Sequence, residues 1–275
     1  MFTLNCKGRL LTVENPLVMG IINITPDSFF EGSRFMANAV ILKVVEKMLN
    51  DGADILDLGA QSTRPGSERI SADEELKRII PAVEAIRAEF PAALLSIDTY
   101  YSKVAKQTID AGASIVNDIS AGELDTEMMA TVAQLNVPYV CMHMKGNPET
   151  MQSQAYYDNL PLEVLDYFVK KADACKKSGI KDIILDPGFG FGKNISHNFE
   201  LLKNLSVFKM LERPILVGIS RKSTVYKTLG VTAAEALNGT TFLHAIALLN
   251  GANILRVHDV KEAKEAVKLF TEYSK

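Results

Sequence analysis

Cysteine is scarce in this chain: 275 residues hold only Cys6, Cys141 and Cys175. Odd in number and widely spaced, they exclude a disulfide framework and offer no Cys-x-x-Cys metal site, a usage that fits a reducing cytoplasm. Charge of one sign is equally absent. Thirty Lys and Arg against 33 Asp and Glu leave a net charge of −3. That balance argues against nucleic acid or an anionic membrane as a bulk partner, while leaving room for a local basic pocket. No apolar run follows Lys7 and Arg9 as an export signal requires, and Leu17 to Ile22 is far too short to span a bilayer.

What the chain does have is a recurrent motif. Gly52-Ala53-Asp54-Ile55-Leu56, Gly112-Ala113-Ser114-Ile115-Val116 and Gly251-Ala252-Asn253-Ile254-Leu255 repeat one pattern, with a looser copy at Gly179 to Ile184. The glycine suits the left-handed position after a helix, and the β-branched run that follows suits a buried strand. The polar residues after each strand differ every time: Asp57, Asn117-Asp118, Asp186, then Arg256 and His258. A framework that repeats while varying one end of its strands places a site at that end.

Eight strands are expected, at 18–23, 55–59, 94–98, 114–118, 139–143, 183–186, 215–220 and 253–257, with helical pattern between them. Leu76, Ile79, Val83, Ile86 and Phe90 lay one apolar stripe on a helix over 72–90, and Val260, Ala263, Val267 and Phe270 do so in the last helix. Eight apolar strands each followed by a helix close most simply into a single (β/α)8 TIM barrel; an open doubly wound sheet uses fewer. Residues 2–13 read as a short N-terminal β-hairpin turning at Lys7-Gly8 and closing the barrel floor. Two long loops, 25–34 and 61–69, leave strand ends where lids commonly form.

The last polar residue of each strand gives Asn23, Asp57, Asp98, Asn117, Asp118, His143, Asp186, Lys222, Arg256 and His258. Asp98, Asn117 and Asp186 suit a planar heterocycle with several N–H donors. Ser220-Arg221-Lys222-Ser223 and Arg256-Val257-His258 form a cationic corner of the kind that binds phosphate. A single Asp after a barrel strand serves equally as a helix cap, so Asp57 and Asp118 stay open between the two roles. Gly188-Phe189-Gly190-Phe191-Gly192-Lys193 lacks the Gly-Lys-[Ser/Thr] ending of a nucleotide loop. Its glycines fit close backbone approach to a flat ligand, with Phe191 against a ring face. Cys141-Met142-His143-Met144 alternates across a strand and reads as core; His197 and His244 read as structural.

These motifs in this order, Gly20 to Phe29, Ser62-Thr63-Arg64-Pro65-Gly66, Ile97-Asp98-Thr99, Asn117-Asp118-Ile119, Asp186 to Lys193, Gly218 to Ser223 and Arg256 to Asp259, closely resemble the bacterial dihydropteroate synthases over nearly the whole chain. Ala60-Gln61 stands where the family usually has Gly-Glu, and Phe30-Glu31 where Ser-Asp is common. The resemblance implies one pterin-binding domain over 1–275. It also implies a folate-pathway transferase that joins 6-hydroxymethyl-7,8-dihydropterin diphosphate to 4-aminobenzoate. Asp186 and Asn117 then hold the pterin edge, with Asp98 nearby and Lys222 on the oxo side. Arg256, His258 and a Mg2+ ion on Asn23 meet the diphosphate. Phe29, Ser62, Thr63, Arg64, Pro65 and Ser223 serve the aminobenzoate and lid region. Sulfonamide inhibition is implied as well. A corrinoid-dependent methyltransferase on a similar barrel, or a pterin binder without turnover, are the competing readings. The apolar segment Phe242 to Leu249 exceeds what one-sided packing needs and implies a homodimer through the late helices.

Overall fold

The structure is a computed structural model that describes residues 1–24, 34–61, 69–146, 151 and 155–275. A two-stranded antiparallel hairpin, β1 (Phe2–Cys6) and β2 (Arg9–Val13), comes first. Its turn falls at Lys7 and Gly8, both at positive φ (55° and 89°), the pairing that a two-residue hairpin turn of matching twist demands.

Eight parallel strands follow: β3 (Leu17–Asn23), β4 (Ile55–Gly59), β5 (Leu95–Asp98), β6 (Ile115–Asp118), β7 (Tyr139–Met142), β8 (Ile183–Asp186), β9 (Leu216–Val217) and β10 (Ile254–Val257). They pair in chain order from β3 to β8, and β10 pairs with both β3 and β9. A single parallel bridge, Leu185 to Ile215, joins β8 to the β9 side and completes a nearly closed barrel. Strand seven of the barrel is thus two residues long where the sequence suggests six. Gly218 to Ser220 turn out of the ladder at once, because Arg221 at φ 52° begins a tight bend.

Helices lie between the strands. The striped helix runs Ala72–Glu89, with Leu76, Ile79, Val83 and Ile86 buried and Phe90 as its cap. The last helix, Val260–Tyr273, buries Val260, Ala263 and Val267. All four repeat glycines, 52, 112, 179 and 251, have φ between 94° and 120°, so the repeat marks the helix exits as its sequence suggests.

Strand alternation sorts the interior. Met19, Ile55, Ile115, Val140, Ile184, Leu216 and Ile254 form one buried cluster with Leu4, Cys6 and Val13 of the hairpin, which plugs the barrel floor. Side chains two residues further along a strand share that inward face. The next layer up is therefore Ile21, Asp57, Ser96, Asn117, Met142, Asp186, Gly218 and Arg256. Among the described residues, no helix is long and apolar enough to cross a membrane.

Candidate active site

The inward layer at the C-terminal end of the strands is mostly polar, an arrangement the strand register imposes. Gly59 stands opposite Asp98, and Asp98 opposite Asn117, on successive strands. Arg256 reaches across from β10. Its Nε donates to Asp57 Oδ2 at 2.7 Å and its Nη2 to Asp98 Oδ2 at 2.7 Å. Asn117 Nδ2 donates to the same Asp57 oxygen at 3.0 Å. An ionised carboxylate only accepts, so Asp57 fixes which way the Asn117 amide faces and leaves its Oδ1 as an acceptor.

Asp57 is fully buried, and Asp57 Oδ1 and Asp98 Oδ1 are buried without a hydrogen-bond partner. Burial pushes the Asp98 carboxyl up to about 7, against the opposing pull of Arg256. Burial likewise raises Asp186, with Lys222 as the main opposing charge. Asp186 Oδ1 accepts the Gly188 N–H at 2.8 Å, which leaves Oδ2 as a second acceptor. The mouth therefore presents oxygens from Asp98, Asn117 and Asp186 that lack donors, the complement of an N–H-rich ring.

Lys222 supplies the opposite polarity. It caps the helix Ser223–Leu229, donates to Phe189 O and sits 4.8 Å from the centre of the Phe191 ring. Burial draws its ammonium down to about 8, with Asp186 restraining the shift. Phe191 packs with Tyr100, Ile119 and Met142 in a small apolar cluster beside the polar layer, a flat wall for a planar ligand.

At the rim, Ser220 Oγ accepts the His258 backbone N–H at 3.2 Å and lies 3.1 Å from His258 Nδ1. The serine hydroxyl proton then points to Nδ1, which makes Nε2 the N–H of a neutral ring. Crowding by the mouth, aided by Arg256, holds His258 below the ordinary imidazole range, to about 4. Although the residue is exposed by area, the concave rim around it accounts for that shift. Asn23 ends β3 and is exposed on the same rim. Ser223 begins its helix nearby in sequence, and Phe29, Ser62, Thr63, Arg64 and Pro65, with Phe30 and Glu31, lie outside the described residues.

Three sequence expectations change. The mouth does not divide by sign: Arg256 lies among the carboxylates, because two buried acids need a cation between them. Arg221 does not belong to a phosphate corner. Its guanidinium clamps Asp259 at 2.7 and 2.8 Å and donates to Ala233 O and Ala234 O. The glycines of 188–192 serve the protein backbone first. A Cβ on Gly188 would lie 1.9 Å from His143 O, and one on Gly192 2.9 Å from Lys145 O. Lys193 nails this loop down from inside, its Nζ meeting His143 Nδ1 at 2.9 Å and Gly188 O and Phe191 O at 3.0 Å.

The two undecided aspartates separate cleanly. Asp118 faces outward and is consumed by Ser120, Gly122 and Tyr139, all within 2.8 Å. Asp57 faces inward and organises the site. Counting two residues from Ile55 separates the roles, since inward positions alternate along a strand. His197 caps its own helix with Asn194, and His244 is buried.

The pterin-binding enzyme family matches residues 19–258, which include every inward polar residue named above. The dihydropteroate synthase of Escherichia coli K12 is 43% identical over 265 residues, covering 96% of this chain and 93% of that protein. The chain belongs to the dihydropteroate synthase family. Solved members superimpose closely. The Yersinia pestis dihydropteroate synthase in a sulfonamide drug complex has a TM-score of 0.92 at 39% identity, covering 99% of each chain. The Xanthomonas albilineans dihydropteroate synthase with 4-aminobenzoic acid has a TM-score of 0.92 at 36% identity, over 99% of this chain and 98% of that one.

Proposed function

We propose that this protein condenses 6-hydroxymethyl-7,8-dihydropterin diphosphate with 4-aminobenzoate, giving 7,8-dihydropteroate and diphosphate. One observation carries the reading: Asp57, Asp98, Asn117, Asp186 and Arg256, drawn from five strands, converge on a single barrel mouth in a family member. Asn117 Oδ1 and Asp186 take the pterin amino-pyrimidinone edge, Asp98 accepts beside them, and Lys222 donates to the oxo side. A ring without those N–H groups would leave buried acceptors unpaired, at about 1–3 kcal/mol each.

The pterin methylene C–O bond then breaks, its electron pair leaves with diphosphate, and the electron-rich dihydropterin ring spreads the positive charge. The neutral arylamine attacks that carbon and loses its proton afterwards, so no general base is needed. Arg256, whose Nη1 remains for a ligand, and His258 through Nε2 donate to the departing oxygens; one well-placed donor contributes about 3–4 kcal/mol.

Among the described residues no cluster of three or more His, Cys, Asp or Glu could hold a metal. Asn23 offers a single hard oxygen at the rim, which fits a Mg2+ that takes its remaining ligands from diphosphate and water. Bound there, the ion would neutralise charge on the leaving group. The family resemblance assigns the aminobenzoate side to Ser223, Phe29, Thr63 and Pro65, with Ser62 beside them and Arg64 to gate or sense diphosphate; of these only Ser223 lies among the described residues. Sulfonamides would compete at that side.

Leu229, Phe242 and Leu249 are 54%, 66% and 56% exposed on the late helices, an apolar face that supports a homodimer. Incubating the protein with the pterin diphosphate, 4-aminobenzoate and Mg2+ is expected to give dihydropteroate by mass spectrometry. Binding of the pterin without product, or methyl transfer from methyltetrahydrofolate to a corrinoid, would replace the proposal.

A further inference from the structure

Lys193 is a buried cation held by carbonyls and an imidazole rather than by a carboxylate. Its Nζ lies 2.9 Å from His143 Nδ1 and donates to Gly188 O and Phe191 O at 3.0 Å, with His143 O further off at 3.4 Å. An ammonium is costly to take out of water, and three good acceptors offset that cost without a counter-ion. Burial draws Lys193 down to about 7, with Asp186 opposing the shift. Burial, and then the Lys193 charge, push His143 well below the ordinary imidazole range. The ring is therefore neutral, and its Nδ1 can accept. Loss of the lysine proton would leave the same three contacts, because the ring can then carry its hydrogen on Nδ1 and donate to the amine lone pair.

Both carbonyls belong to the turn that follows Asp186. Gly188 is gripped from two sides: its N–H donates to Asp186 Oδ1 at 2.8 Å, while its O takes Lys193 Nζ and the Phe191 N–H, the latter at 3.1 Å. Phe191 O is tied to the same ammonium, and the Phe191 ring centre lies 4.8 Å from Lys222 Nζ. The His143 end is itself anchored. Its N–H donates to Asp186 O at 2.9 Å, and its ring packs edge-on to Tyr167 with centroids 4.8 Å apart. We infer that Lys193 is a positioning residue for the pterin side of the mouth: by holding the Gly188 and Phe191 carbonyls against His143, it fixes the direction of the Asp186 carboxylate and the placement of the Phe191 ring. All three of its hydrogens are used within the protein, so it acts through those two side chains. The inference rests on the proposed binding of a pterin, and not on the proposed reaction.

Lys193→Met keeps the length and the apolar stem and deletes the three contacts. Calorimetry with 6-hydroxymethylpterin is expected to show affinity about tenfold weaker, the loss of roughly one hydrogen bond to a charged group. At saturating pterin diphosphate, the KM for 4-aminobenzoate should stay within about twofold of wild type on the same scale. A second readout needs no ligand: hydrogen exchange across 187–192 should quicken while β3 to β6 are unchanged. His143→Leu removes one contact of the three and should move both readouts the same way by a smaller factor, and it decides the matter if the Lys193→Met chain does not fold. A wild-type protein that binds the pterin but makes no dihydropteroate would fail the proposed reaction, and weaker pterin binding by the variants would still support the inference. Pterin affinity within twofold of wild type in a folded variant would overturn it. So would unchanged exchange across 187–192, or equal rises in the KM values of both substrates, the mark of general loosening.

Discussion

Arg256 and Asp57 stand 199 positions apart in the chain and 2.7 Å apart in the barrel mouth. The contact links the last strand to the second of the barrel, and Asp57 also orients Asn117. One buried carboxylate thereby aligns two other side chains of the mouth.

Asp57→Asn keeps the shape and removes the charge. Its amide can offer N–H where Arg256 and Asn117 both need an acceptor, so the Asn117 carbonyl loses its enforced orientation. Pterin affinity is expected to fall about tenfold, near 1.4 kcal/mol, with the thermal midpoint reduced as well. Titration calorimetry with a pterin ligand checks this; unchanged affinity would remove Asp57 from the site.

Arg256→Met leaves Asp57 and Asp98 buried without their cation. A destabilisation of about 3–5 kcal/mol is expected for an unpaired buried charge, softened where Asp98 takes a proton. Turnover should fall more than pterin binding, because in the proposed reaction Nη1 would act on the departing oxygens. Denaturant unfolding and single-turnover kinetics separate the two effects.

Two buried groups outside the mouth give opposite pH dependences. Burial raises Glu75 to about 8, and both its carboxylate oxygens are buried without a partner that meets hydrogen-bond geometry, although Thr99 is close enough to favour the ionised form weakly. The folded state holds this proton more tightly than the unfolded chain, so its stabilisation is complete below pH 4.5 and is lost as pH rises through 8. Burial lowers His244 to about 4. Its contribution is complete above pH 6.5 and lost as pH falls through 4, by about 3 kcal/mol. Glu75→Gln should flatten the alkaline arm of the stability curve, and His244→Leu the acid arm, in urea melts at fixed protein concentration.

Much of this was legible in residues alone. The repeat glycines mark helix exits because only they take φ near 100° without strain, and seven of the eight strands fall within one residue of expectation at both termini. The short ninth strand was not legible, since Ile215 to Val217 are as β-prone as any other run; the bend at Arg221 that ends the pairing depends on its tertiary bond to Asp259. Arg221 and Arg256 look alike in sequence, and only alternation about Ile254 turns Arg256 inward. The backbone constraint on the glycine loop was hidden for the complementary reason. Glycines that fit a ligand and glycines that fit a neighbouring carbonyl leave the same sequence signature, and His143 O decides between them.

Asp186 carries the central claim most directly, because the proposed function sets the amino-pyrimidinone edge of the pterin on its carboxylate. Calorimetry of wild type and Asp186→Ala with a pterin ligand is the decisive measurement. Loss of binding beyond about a hundredfold, the 2–3 kcal/mol of a charge-assisted hydrogen bond pair, is expected with the fold intact by circular dichroism. Equal affinity in a folded variant would contradict the account.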